Sequence, residues 1–500
     1  MQAGTRNGAI PQKLVLCVSR QSTLTPRSSW SHARHAARQL STFNHVNSEK
    51  NKTLSIRLNT SRTLWTSTSQ RQKCLVQNTA VRRGFATVSD DTTTQKKYAA
   101  VVVGAGPAGI TVLGNLLERK LGPVLWVDDG FNGGRVNRSY REVPRYIWSH
   151  NHHVIRILTC FSNTKTHLFV DFAQAVEPLK EIVHKTPSPN AIDTLRSLSP
   201  DKGCELSYAA DMLLMLTEGL KKHPSVEPSQ GRINTATQHG ANWIVSVTGN
   251  SSKTAQTAVA DRLVLCTGSS PTARSLPTNS TIPPLDLDTA LSPSILSHVL
   301  YTTKPLTVSV VGASHSAILA LRNLSNLALS SHPHLRIRWF TRHALRYPEY
   351  MDGWILRDNT GLKGEAAVWA RENLEPQAFP SSVISNVVKV YDYKKDDEEA
   401  TLARGLEGSD YVVQAIGFTR DPIPELRFSE GGKERSLVPF YDHLSGRFRQ
   451  GGKDGAEVKG LFGAGIAWPE RVTDPHGNVE YAVGFWKFMK YIKRVSPEWN

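Results

Sequence analysis

The chain has 500 residues, 39% of them apolar and 21% charged, enough for two or three domains around a sizeable core. Its formal net charge of +17 would point to a nucleic-acid partner if it were evenly spread, but the first 89 residues hold 14 Lys/Arg against the single acid Glu49, and the other 411 hold 46 against 42. That distribution excludes a basic nucleic-acid face on the folded part, and no run reaches the roughly 18–20 apolar residues of a membrane span.

The arm, residues 1–96, is rich in Ser, Thr and Arg and nearly free of acids, the composition of an organellar transit peptide. Arg82-Arg83-Gly84-Phe85-Ala86-Thr87 reads as a processing site, so mitochondrial localisation is expected, in the matrix or at the inner-membrane surface. The folded part then opens on YAAVVVGAGPAGITVLGNLLERKLGPVLWVDD, residues 98–129. An apolar run (Ala99 to Val103) stops at Gly104-Ala105-Gly106-Pro107-Ala108-Gly109. A helical pattern with Ile110, Leu113, Leu116 and Leu117 on one face follows, and a second apolar run ends at Asp128. The chemistry of a dinucleotide site accounts for each part. Gly104 allows the sharp turn, Gly106 lets backbone approach a pyrophosphate, and Gly109 lets helix and strand pack closely. The helix N-terminus offers N–H groups and a positive dipole end. Asp128, 24 positions after Gly104, is expected to accept hydrogen bonds from a ribose.

Residues 130–145 are dense in Gly, Asn and Arg, so Arg135, Arg138 and Arg141 are either anion contacts or a solvated basic loop. Residues 145–161 interrupt an otherwise smooth join and read as an unspliced intron in the gene model. Their Asn151-His152-His153 lacks a paired ligand set, and no metal is expected. None of the five cysteines forms C-x-x-C, which leaves no redox dithiol, and Cys266 reads as a buried thiol. Residues 206–222 are expected to be a helix, and 231–247 a hairpin turning at His239-Gly240-Ala241-Asn242. The strand Arg262 to Cys266 runs into Thr267-Gly268, where the chain would return to the first nucleotide. Residues 270–305 read as a crossover or linker.

A second nucleotide unit begins at Val308, with Gly312, Ser314, Ser316 and Ala317 in the turn and an apolar-periodic helix after it. The next strand, Leu335 to Phe340, ends in Thr341-Arg342 with no acid. Arg342, with Arg338 and Arg346 nearby, suits the 2′-phosphate of NADP, which an acid would repel. Two further strands enter glycine turns, at Gly417 and at Gly465–Ala467. Residues 479–494 read as a final helix, aromatic and basic enough for peripheral membrane contact or for packing in the core.

The motif order GAGPAG, LCTGSSP, VVGASHSA, VVQAIGF, GLFGAGIA resembles the two-dinucleotide-domain flavoproteins, that is, pyridine nucleotide–disulfide oxidoreductase-like proteins and their flavin monooxygenase relatives. Within them, GFNGGRVNRSYREVP and MDGWILRDNTGLKGEAAVWARENL look like segments of fungal FAD/NAD(P)-binding oxidoreductases. The resemblance covers residues 97–500. It implies an α/β fold, an FAD-binding Rossmann-like domain (97–300 and 431–500) with an inserted NAD(P)-binding Rossmann-like domain (301–430). It implies FAD on Gly104, Gly106, Pro107, Ala108, Gly109 and Asp128, with Thr267, Gly268, Gly465 and Ala467 near the flavin. NADP or NAD would lie on Gly312, Ser314, Ser316, Arg342 and Gly417. The dithiol of the disulfide reductases is absent, the F-x-G-x-x-x-H signature of flavin monooxygenases is not clear, and the usual Gly-Asp near the last flavin strand is Gly463-Ala464-Gly465. The implied activity is hydride transfer from NAD(P)H to FAD, with electrons passing to oxygen or a small organic substrate. The alternatives are a membrane-surface quinone reductase and a flavoprotein whose role is partner binding. His476 and Glu480 are the candidate catalytic residues.

Overall fold

The computed structural model describes residues 96–142, 164–250, 255–278, 281–394 and 397–499. The basic arm and the suspect stretch 145–161 lie outside them. Val88–Asn500 forms one compact unit.

Ala100–Val103 is a strand of small and β-branched residues, and its first three are fully buried, as a strand covered on both faces requires. It pairs in parallel with Val124–Asp128 on one side and Leu263–Leu265 on the other. Beyond these lie Val226–His239 and Glu457–Gly463, also parallel. The chain thus leaves the central strand in one direction and returns on its opposite side. That reversal opens a crevice at the carboxyl ends of the strands, where open α/β sheets bind ligands. A second, four-stranded parallel sheet repeats the plan, in the order 388–392, 335–341, 306–311, 411–414.

The helix Pro107–Glu118 is buried from Ala108 to Leu117. It packs beneath Phe485–Val495, whose Phe485, Phe488, Met489, Tyr491, Ile492 and Val495 enter the same core. The apolar face of that last helix is therefore occupied inside the protein. The helix is also shorter than its sequence pattern. Val479–Ala482 pairs antiparallel with Glu470–Thr473, and Gly484 at φ +142° separates this hairpin from the helix. The expected hairpin at 231–247 forms, with His239 opposite Asn242 and Gly240 at φ +59°. The expected linker after residue 270 contains the short helices Leu287–Leu291 and Pro293–Val299. Glu425–Glu430 joins Val226–His239 in the first sheet, so the strands of the second sheet end at Gln414, before the expected boundary at 430.

Two connections join the sheets. Phe418–Arg420, leaving the second sheet, pairs antiparallel with Ser269–Pro271, leaving the first. The Gly268 carbonyl accepts from the Asp421 N–H at 3.1 Å and the Gly417 carbonyl from the Thr272 N–H at 2.9 Å, so the two return turns are tied to each other.

Candidate nucleotide-binding and active site

The first glycine turn is over-determined. Gly104 sits at φ +105°, where a Cβ would lie 2.4 Å from the Cys266 carbonyl oxygen. A Cβ on Gly109 would lie 1.9 Å from the Gly104 oxygen. Gly106 differs, because a Cβ there would meet only the Gly134 Cα, at 3.8 Å, so its outer side is open. Gly106 is the N-cap of Pro107–Glu118, with no side-chain capping bond and no acid in the first turn, so the helix end keeps its N–H groups for an anion. Gly465 reaches the same place from the far end of the chain. At φ +89°, its Cβ would come 2.5 Å from that of Ala108. Thr267 and Gly268 follow the neighbouring strand Leu263–Leu265, and the Thr267 and Ser269 hydroxyls and the Trp468 indole N–H are buried without a partner. Orphaned buried polar atoms cost about 1–3 kcal/mol each, so their clustering at these turns fits a bound polar group.

Asp128 accepts three backbone hydrogen bonds. One carboxylate oxygen accepts from the Ala105 N–H at 2.7 Å, and the other from the Gly130 and Phe131 N–H groups at 2.9 and 2.7 Å. The side chain holds the glycine turn and the following loop together, and any ribose contact uses lone pairs beyond these. The stretch read as a loop forms the short helix Arg135–Tyr140, and its arginines are partly committed. Arg135 pairs with Asp288 and reaches Ser270 and Tyr140, while Arg141 pairs with Asp211.

The second turn repeats the first. Gly312 is at φ +124°, with a would-be Cβ 2.5 Å from the Ala415 oxygen, and Gly417 at φ +123° faces open space. Ser314 is already engaged. Its hydroxyl donates to the Ala415 carbonyl and caps the Ala317 N–H, so it holds the turn as well as lining it. Ser316 follows in the first turn of the helix. A cleft of about 670 Å³ opens here, lined by Gly312, Ser314, Gly417 and the three arginines Arg274, Arg342 and Arg346. Arg342 also contacts Glu398 at 3.4 Å. Burial pushes the His315 imidazole down to about 4, so this ring at the helix N-terminus is neutral at physiological pH. Burial likewise pushes the Cys266 thiol up, consistent with an inert core residue.

Two features escaped the sequence reading. The Trp126 indole donates to the Gly104 carbonyl at 3.0 Å, and the Trp339 indole to the Gly312 carbonyl at 2.8 Å. The same side chain thus fixes the same glycine in both units, a repeat visible as VLWVD and IRWFT. Arg420 was also missed. Its Nε donates to the Ala467 carbonyl at 2.6 Å and its guanidinium lies 4.2 Å from the Trp468 ring centre. Among the described residues no carboxylate stands within ion-pair distance of it, so a cation is presented beside Gly465–Ala467.

The expected catalytic pair is placed otherwise. Glu480 is bound to the second unit, where its carboxylate accepts from the Asn359 N–H (2.9 Å), the Asn359 amide (3.1 Å) and the Thr360 hydroxyl (2.5 Å). His476 sits in the exposed turn Asp474–Asn478 with its ring against Trp354, centroids 4.9 Å apart. The cause is the hairpin 470–482, which carries both residues onto the segment 354–360. Beside it, Lys487 donates to Asp358 at 2.7 Å and to the Asn359 side chain, and Lys363 pairs with Asp358 as well. Burial alone would raise the Asp358 pKa, but the hydrogen bonds from Lys363 and Lys487 outweigh it and hold the carboxyl below its usual value. A carboxyl with a lowered folded-state pKa contributes stability above its unfolded pKa, about 3.9, and loses it as pH falls through the folded value. Asp358→Asn is therefore expected to lower the urea midpoint at pH 7 by more than it does at an acid pH below the unfolded value of about 3.9. An equal gap at both pH values would contradict this.

Two glycine turns at the switch points of two sheets, one mixed with a parallel centre and one parallel, tied by a ribbon, define a two-dinucleotide-binding α/β oxidoreductase. Among known proteins, the chain is 51% identical to the monooxygenase AgnR1 of Paecilomyces divaricatus over 411 residues, which span 81% of this chain and 98% of that protein. It belongs to that monooxygenase family. Solved structures resemble it distantly. The ornithine N-hydroxylase of Kutzneria sp. 744 is 11% identical (TM-score 0.48, covering 81% of this chain and 99% of that one). The NADP+-bound cyclohexanone monooxygenase of Rhodococcus sp. Phi1 is 12% identical (TM-score 0.46, covering 81% and 84%). No protein-family model matches the chain.

Proposed function

We propose that this chain is an FAD- and NADPH-dependent monooxygenase that transfers one atom of O2 to a small organic substrate. The second atom leaves as water, with NADPH as the two-electron donor. The observation that carries this reading is the pairing of an uncapped, acid-free helix end at Gly106 with an arginine-lined cleft at Gly312. FAD, when bound, supplies the electron transfer and the activation of oxygen. The protein's part is placement. The N–H groups after Gly106 meet the pyrophosphate, Gly465 and Ala467 back the flavin, and Arg342 with Arg274 and Arg346 meets the nucleotide phosphates. Kinship with a monooxygenase supports oxygen as the acceptor. The occupied apolar face of Phe485–Val495 removes the argument for a membrane-seated quinone reductase.

Oxygen uptake driven by NADPH, with label from ¹⁸O₂ in the product, tests the reading. Flavin reduction by NADPH without any oxygen consumption would overturn it. Charge-assisted hydrogen bonds contribute about 1.5–3 kcal/mol, so Arg342→Ala is expected to raise KM for NADPH about tenfold or more and to leave KM for NADH nearly unchanged. Equal rises for both nucleotides would remove the 2′-phosphate role.

A further inference from the structure

The ribbon 269–271/418–420 and the ion pair of Arg135 with Asp288, in the helix Leu287–Leu291, attach the first sheet to the second. The hairpin 470–482 supplies a further attachment. It is inserted between the turn at Gly465–Ala467, which backs the flavin in the reading above, and the N-terminus of Phe485–Val495. Three donors from the segment 359–360 converge on its Glu480, one of them a backbone N–H, so the carboxylate fixes main chain and not merely side chains. Lys487, in the first turn of the helix, grips Asp358 and Asn359 from the other side. Thr360 and Leu362 line the 670 Å³ cleft, so the residue whose hydroxyl meets Glu480 also forms the nucleotide wall. Gly312 and Ser314 of the second nucleotide turn line the same cleft. Shared cleft lining and direct hydrogen bonds thus connect the second nucleotide turn, the cleft wall, the hairpin and the last helix.

We propose that Glu480 and Lys487 are positioning residues. By clamping Asp358–Thr360 they hold the nicotinamide-nucleotide cleft in register with the flavin turn, and they transmit occupancy of that cleft to the hairpin 470–482. The proposal rests on assigning the two glycine turns to FAD and NADP. Hinged units with two arrangements respond to ligands through such contacts. A clasp of this kind acts on alignment, and misplacing reacting groups by about 1 Å can cost about a hundredfold in rate.

The full chain, loaded with FAD, is compared with Glu480→Ala, Lys487→Met and the milder Thr360→Val. Three quantities are read: amide hydrogen exchange of residues 470–482 with and without NADP+, the NADP+ dissociation constant from the flavin spectrum, and flavin reduction at saturating NADPH. In the parent protein NADP+ is expected to slow exchange in 470–482. In Glu480→Ala and Lys487→Met that protection should vanish and reduction should slow about tenfold or more, with far smaller changes in NADP+ affinity and FAD content. Thr360→Val should fall between. Retained protection and an unchanged reduction rate in the variants overturn the proposal, as does the absence of NADP+-dependent protection in the parent protein. If Glu480→Ala fails to hold FAD, Thr360→Val decides. If the parent protein binds NADP+ but is not reduced by NADPH, the functional reading fails while the exchange data still decide the coupling.

Discussion

Gly109→Ala is expected to yield protein that carries no flavin and unfolds at a lower urea concentration. The added methyl would lie 1.9 Å from the Gly104 oxygen and 2.9 Å from its carbonyl carbon. Neither atom can move away, because that carbonyl accepts the Trp126 indole and the Gly104 N–H donates to Val127 at 2.8 Å. Forced overpacking costs about 1–3 kcal/mol where side chains can give, and here the obstruction is backbone, so at least the upper end of that range applies. Gly106→Ala is the informative comparison. Its methyl finds open space, so folding should survive while FAD affinity falls, because the methyl occupies the pyrophosphate's approach. Urea midpoints and flavin absorbance of both variants decide the matter. A Gly109→Ala protein with full flavin and an unaltered midpoint would refute the geometry.

Trp499→Ala should cost about 3–5 kcal/mol, the range for emptying a buried aromatic site. Trp499 is fully buried. It stacks on Phe462 with centroids 4.6 Å apart and planes at 16°, and its indole donates to the Ser445 carbonyl at 3.1 Å. Its own carbonyl accepts from Arg262 at 2.8 Å. Gly446, at φ +76°, gives it room, since a Cβ there would press on the ring at 2.9 Å. Phe462 lies on the strand that enters Gly465, so the loss should loosen the flavin turn as well as the core. A fall below about 1 kcal/mol in denaturant unfolding would mean that the site collapses around the missing ring.

What could be read from the residues was whatever local chemistry decides. Gly104, Gly109 and Gly312 announce turns because only glycine tolerates the positive φ or the backbone contact there. The alternation around His239–Asn242 announces a hairpin because its period is two. The apolar stripe of Pro107–Glu118 announces a buried helix. Glu480 was not legible in the same way. Its partners Asn359 and Thr360 are about 120 positions away, and proximity to a glycine turn in sequence does not survive an intervening hairpin. The start of the last helix was misplaced for a related reason. Val-Glu-Tyr-Ala fits a short strand as well as a helical turn, and only the pairing with Glu470–Thr473 separates them. Arg420 was passed over because a lone arginine after Gly-Phe-Thr carries no signal until its strand is seen beside Ser269. The paired tryptophans were legible in principle, as equivalent positions in two repeated units.

The three N–H groups gathered by Asp128 bear on how the protein acquires its cofactor. A nucleotide loop cross-tied to its own strand end and to the residues that follow is already in its receiving shape. Less conformational freedom then remains to be surrendered on association.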